Sequence, residues 1–234
     1  MGKINLKYYY KLRWKDDAII KKLNEIFKEF NLHLMEDKMP SLYFNFSIKN
    51  EIYDYVYPLT MLRDLISTPQ SPKYHSEGSV WNHTMLVIDE AAKRKNLSND
   101  VKVFMWAALL HDLGKAPATK LKNGRITSYD HDIKGEKLCI EFLSEFNCEK
   151  QFVKDVSLLV RWHMQTLFTS KKLPFGNLKQ MMREVDYREI ALLSLCDRLG
   201  RGDMTSEKIR EEEHKIEEFI NKCELCDNNL YVTK

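Results

Sequence analysis

The stretch VKVFMWAALLHDLGKAPATK, residues 101–120, decides how this chain is read. An apolar run broken only by Lys102 leads straight into His111 and Asp112, two polar side chains where a buried element should still be packing. Burying an imidazole beside a carboxylate is costly unless something replaces the lost water. The run itself has the length and composition of a core helix. Asn99 or Asp100 is the expected N-cap, and Gly114 the expected terminator.

Upstream, SVWNHTMLVIDEAAKRK (79–95) reads as a helix capped by Ser79, preceded by PQSPKYHSEGS (69–79), where two prolines and a glycine rule out regular continuation. PLTMLRDLIST (58–68) reads as a short helix. Further back, DDAIIKKLNEIFKEF (16–30) places Ile19, Leu23, Ile26, Phe27 and Phe30 on one face at helical spacing. Between them SLYFNFSI (41–48) alternates like a strand, but has no clear partner nearby; irregular packing is the other reading. Downstream, TKLKNGRITSY (119–129) carries Asn123-Gly124 between alternating residues, the signature of a tight hairpin. Helical patterns then resume to the end, closing with the charged SEKIREEEHKIEEFINKCE (206–224). No internal repeat or low-complexity tract interrupts them.

The composition fits a largely helical chain of 234 residues, long enough to bury a substantial core. A formal charge of +3 is too small to indicate a dedicated nucleic-acid binder. The basic and aromatic residues of KINLKYYYKLRWKDDAIIKK (3–22) suit either base stacking or the solvated face of a first helix. Five cysteines form no disulfide framework, and Cys223-Cys226 lacks the second pair of a zinc knuckle. Reduced thiols, the charged first residues and the lack of a membrane-length apolar run set the expectation of a cytoplasmic protein that does not enter a membrane.

Five of the seven histidines, His75, His83, His111, His131 and His163, fall near expected helix ends or in loops of the middle half. Two carboxylates stand in apolar surroundings: Asp112, and Asp197 after ALLSLC. Side chains of these types converging from separate helices are how a helical bundle builds a metal site. Coordination would satisfy imidazole and carboxylate together, and so answers the question posed by His111-Asp112.

The order His83, His111-Asp112, Asp197 resembles the pattern of the HD-domain metal-dependent phosphohydrolases. The phrases YHSEGSVWNHTMLVIDEA, ALLHDLGKAPATK, NGRITSYDHDIKGE, LLVRWHM and CDRLGRGD are similar, in order, to the HD domain of bacterial tRNA nucleotidyltransferases. The resemblance implies a mainly α fold: an HD-domain helical bundle over 58–206 with a small hairpin near 118–129. A small α or α+β unit (1–57) would precede it and a charged helix (207–234) follow. It implies His83, His111, Asp112 and Asp197 as metal ligands, suited to manganese, iron, cobalt, nickel or zinc. His131 and His163 then hold a second ion or contact the substrate phosphate. Asp130 stands where relatives often carry glycine, a departure that bears on His131.

Such an ion acidifies water and draws charge from a phosphoryl oxygen. Lys115 is positioned to neutralise another oxygen, with Arg198 and Arg201 as further phosphate contacts. His75 and Glu77, in the loop before the first ligand helix, are candidate substrate contacts, and Asp112, His131 or His163 the candidate source of the leaving-group proton. The expected activity is that of a phosphomonoesterase or 2′,3′-cyclic phosphodiesterase on a nucleotide or RNA end. The alternative is an RNA-binding module with little turnover. Residues 1–57 lack the Gly-Ser turn and paired aspartates of a nucleotidyltransferase head, so CCA addition is not expected.

Overall fold

The computed structural model describes residues 17–73, 75–202 and 204–231. The basic aromatic stretch before residue 17 lies outside them, so its two readings are not addressed by the fold. The described chain is helical throughout, apart from one hairpin. Its elements are α1 (Asp17–Glu36), α2 (Ser41–Ser47), α3 (Ile52–Tyr55), α4 (Leu59–Ser67), α5 (Val80–Arg94), α6 (Val101–Leu110) and α7 (Lys115–Ala118). Strands β1 (Lys120–Lys122) and β2 (Arg125–Thr127) follow, then α8 (His131–Ser144), α9 (Lys150–Trp162), α10 (Gln165–Ser170), α11 (Leu178–Glu184), α12 (Tyr187–Leu199) and α13 (Ser206–Tyr231). Among the described residues, no helix is long and apolar enough to cross a membrane.

Helix α6 is the axis of the fold. Every residue from Phe104 to Leu110 is fully buried, so beyond its first turn the helix has no solvent face. Helices α1, α5, α9 and α12 pack around it. Its start is fixed by Asp100, whose side chain accepts from the Val103 amide at 3.0 Å. Ser79 does the same for α5 through the Asn82 amide. Each cap satisfies an amide that would otherwise be left open.

SLYFNFSI forms a helix, not a strand. The residues of α2 dock on α1 and α5: Phe44 stacks edge-on against Phe30 at 4.9 Å, Asn45 accepts from the Trp81 indole at 2.9 Å, and Ser41 binds the Asp89 carboxylate through its amide and hydroxyl. With no strand beside it among the described residues, the alternating segment satisfies its backbone within itself, and residues 17–57 are α rather than α+β.

Gly114 is not a terminator. Helix α6 stops at Leu110, the backbone turns through His111–Gly114, and Gly114 has an ordinary right-handed conformation. Its glycine is required by contact instead. A Cβ there would lie 1.9 Å from the His131 carbonyl oxygen and 2.5 Å from the Gly135 nitrogen, so only a bare backbone lets α7 and α8 meet. The hairpin is as the sequence indicates, pairing Lys120 with Thr127 and Lys122 with Arg125. Asn123 and Gly124 both take positive φ, as a primed turn demands.

Candidate metal centre

Five helix ends deliver the site. His83 comes from the first turns of α5, His111 and Asp112 from the turn after α6, His131 from the start of α8, His163 from the end of α9, and Asp197 from the last turn of α12. All six are buried. Local structure aims each one. The hairpin closes through Thr119 and Ser128, whose hydroxyls lie 2.7 Å apart, and the Ser128 carbonyl then accepts from His131 Nδ1 at 2.8 Å. Asp130, just before His131, adopts φ +58, a left-handed conformation that aspartate tolerates better than most side chains, so the turn into α8 is formed without glycine. The Ser194 hydroxyl donates to the His163 carbonyl, tying α9 to the helix that carries Asp197.

The imidazoles share one orientation. His111, His131 and His163 each donate Nδ1–H to a carbonyl three residues earlier, those of Ala108, Ser128 and Val160, at 2.7–2.8 Å. A carbonyl only accepts, so in the neutral rings every Nε2 is a lone pair turned inward. His83 follows the same rule, with Nδ1 between the Gly200 carbonyl at 3.2 Å and Glu77 Oε1 at 3.1 Å.

What those lone pairs face is negative or another lone pair. His83 Nε2 lies 3.0 Å from Asp197 Oδ1 and 3.7 Å from Asp112 Oδ2, and His111 Nε2 lies 3.3 Å from Asp112 Oδ2. On the other side of the same carboxylate, His131 and His163 turn Nε2 toward Asp112 Oδ1 at 3.6 and 3.9 Å, and toward each other at 3.2 Å. His111 Nε2 and both Asp112 oxygens have no hydrogen-bond partner among the described residues. Lys115 Nζ approaches Asp112 Oδ2 at 2.6 Å as an ion pair and donates to the Gln70 side chain at 2.6 Å. One ammonium cannot offset convergence on both oxygens. The donor set therefore fits positive charge on each side of Asp112: His83, His111 and Asp112 within 4.8 Å of one another on one side, and Asp112, His131 and His163 on the other. Mixed imidazole and carboxylate donors suit a divalent transition metal.

Electrostatics agree with that geometry. Burial alone would push Asp112 and Asp197 upward, but it is outweighed. His111 and Lys115 hold Asp112, and the His83 hydrogen bond and Arg201 hold Asp197, well below the usual carboxylate range. Burial pushes His131 down, and burial with its imidazole neighbours pushes His163 down to about 4, so both are neutral at pH 7. For His83, burial is overcome by Asp197 and Glu77, and its affinity for a proton rises. That is the expected response of an imidazole facing carboxylates with only a proton to separate them.

Asp112, His131, His163 and Asp197 face a cavity of about 630 Å³ that is also lined by Gln70, His75, Lys115, Arg161, Arg198 and Arg201, with His83 and His111 behind them. Arg198 lies 3.8 Å from Glu212 of α13, while the buried Arg201 Nε has no partner among the described residues. His75 reaches the cavity, but Glu77 does not line it. Its Oε1 is sandwiched between His75 Nδ1 at 2.7 Å and His83 Nδ1, behind the imidazole rather than at the mouth. Gln70 and Arg161 carry no sequence signal. One sits in a proline-rich loop, the other on an amphipathic helix face, where it pairs with Asp132 at 2.5 Å. Cys223 and Cys226 are free thiols, with Cys223 buried.

The family model for the HD domain matches residues 80–202. Similar curated proteins are multifunctional CCA proteins. That of Alkalilimnicola ehrlichii is 31% identical over 150 residues, covering 64% of this chain and 33% of that protein. That of Actinobacillus pleuropneumoniae serotype 5b is 33% identical over 96 residues, covering 41% and 23%, and that of Shewanella denitrificans 29% over 149 residues, covering 62% and 34%. The alignments thus reach between about a quarter and a third of those proteins' length. With the model spanning more than half of its residues, from the helix that carries His83 to the loop after Asp197, the chain belongs to the HD-domain family.

Proposed function

We propose that the chain is a metal-dependent phosphohydrolase acting on a phosphomonoester or 2′,3′-cyclic phosphodiester of a nucleotide or RNA end. One observation carries the reading: four inward-facing Nε2 atoms and two ionised carboxylates meet with too little positive charge among them, at the floor of a cavity rimmed by cations. His83, His111, Asp112 and Asp197 would hold one divalent ion. His131 and His163, with the far oxygen of Asp112, would hold a second or meet the phosphate. When bound, such an ion supplies an acidified water and withdraws charge from a phosphoryl oxygen.

The protein's own groups do the rest. Asp112 stays ionised throughout and serves as a ligand, not as an acid. His131 and His163 keep their protons on Nδ1, committed to backbone carbonyls, which disfavours them as proton donors to a leaving oxygen. Lys115 Nζ is the proton-bearing group beside Asp112, placed to donate to an oxygen of the ester. Arg198 and Arg201 offer guanidinium N–H groups to the remaining phosphoryl oxygens. The relatives' description as multifunctional CCA proteins, with the resemblance to the HD domain of tRNA nucleotidyltransferases, favours a nucleotide or RNA end as the substrate class.

The test is elemental analysis of purified protein, followed by assays with manganese, cobalt or nickel on a general phosphatase substrate and on a 2′,3′-cyclic nucleotide. Stoichiometric metal, and turnover abolished in Asp112→Ala, are expected. Protein that retains no metal and turns over neither substrate contradicts the reading, and tight RNA binding in such protein would favour a recognition module.

A further inference from the structure

The polar floor occupies only part of the cavity. Its lining also includes apolar side chains, and among them two aromatics that the phosphate chemistry does not use: Tyr129, 71% exposed, and Phe175, 59% exposed. Both stand on backbone that the fold fixes. Tyr129 lies between Ser128, whose carbonyl orients His131, and Asp130, whose left-handed backbone starts α8. Phe175 belongs to the turn linking α10 to α11, which is closed by the Leu173 amide donating to the Phe168 carbonyl at 2.8 Å and by the Asn177 amide donating to the buried Gln165 side chain at 2.8 Å. Phe168 supports it edge-on, with ring centroids 5.7 Å apart. Large aromatic rings open to water in a cavity that also carries Lys115, Arg198 and Arg201 are matched by a ligand that carries a planar π-face next to a phosphate group.

We infer that Tyr129 and Phe175 form a base-recognition wall, so that the site takes a nucleobase-bearing phosphoester in preference to a sugar or polyol phosphate. The inference rests on the reading of the same cavity as a phosphoester site, and it names the specificity of that site. A nucleobase stacks on aromatic rings with little regard to sequence, whereas a polyol offers no π-face and leaves both rings wet.

The test measures binding separately from turnover. The full chain is titrated calorimetrically in excess chelator with adenosine 2′-monophosphate and with glycerol 2-phosphate. The nucleotide is expected to bind at least about tenfold more tightly, and Tyr129→Ala or Phe175→Ala to remove about tenfold of that preference without weakening glycerol 2-phosphate binding. Tyr129→Phe, which keeps the ring, should retain it. Both residues are exposed, so thermal melts of the variants should match the parent. Equal affinity for the two ligands, or alanine variants that keep the preference, overturns the wall. A preserved preference in protein that hydrolyses neither ligand with manganese leaves the wall standing and removes the hydrolytic reading. An oligoribonucleotide with a terminal phosphate, run in parallel, distinguishes the source of the base: tighter binding than the mononucleotide assigns the wall to an RNA end, and equal or weaker binding to a free nucleotide.

Discussion

At the scale of single residues, the site is governed by which ring nitrogen carries the proton. Four imidazoles surrender Nδ1–H to outward acceptors and keep Nε2 for the centre; Glu77 does this for His83. Loss of such an outer partner typically weakens a metal site by about 10–100-fold. Glu77→Gln, which keeps the shape and removes the charge, should lower metal affinity by that amount in a competitive chelator titration while the fold is retained. An unchanged affinity would mean that the Gly200 carbonyl orients His83 unaided. A pH effect follows from His163, pushed from 6.5 to about 4, and from His131 and His75, displaced in the same direction mainly by burial. Below about pH 6.5 the unfolded chain takes up protons that the folded chain resists, so stability falls as pH drops from about 6.5 toward 4, by a few kcal/mol at most. His83 moves the other way, but its contribution is complete below 6.5 and is lost only above its raised value, outside this window. The depressed carboxylates lose theirs only at still lower pH. Thermal melts in chelator from pH 6.5 to 4.5 should show a falling midpoint, and a flat or rising one would contradict the assignment.

At the scale of elements, the caps and the turn were legible because they are local. Ser79, Asp100 and Asn123-Gly124 act through atoms two or three residues away, and the structure repeats what their side chains prefer. Gly114 and SLYFNFSI were misread because their reasons lie elsewhere in the chain. The glycine answers to the carbonyl of His131, and the alternating segment to the lack of a neighbouring strand. Gly114→Ala should cost about 1–3 kcal/mol as an overpacking change and weaken metal binding, since α7 and α8 must separate. Denaturant melts and a metal titration check this. Asp130→Gly serves as the control, because glycine accepts φ +58 freely; it should leave both measurements unchanged or raise stability slightly.

At the scale of the molecule, one hydrophobic core runs from Leu23 of α1 to Cys223 of α13, and the metal-site candidates sit at its edge. Trp106 links its parts: fully buried on α6, it stacks on Phe27 at 4.9 Å and donates its indole N–H to Asn31 at 2.7 Å. Trp106→Ala should destabilise the protein by about 3–5 kcal/mol. We expect one cooperative transition in both parent and variant, followed by near- and far-ultraviolet circular dichroism. Two separated transitions would instead mark residues before 58 as an independently folding unit.

The helical class and the hairpin could be read from the chain alone, because periodicity, capping and turn chemistry act over a few positions, and the His-Asp order marked the residue types that the fold brings together at the candidate centre. Only the tertiary structure decided that Glu77 stands behind His83 rather than at the mouth, that Asp112 turns one oxygen to each pair of imidazoles, and that Gln70, Arg161, Tyr129 and Phe175 share the cavity. These are relations between side chains tens of residues apart. Their directions are set by how whole helices pack, and no local preference in the chain records them.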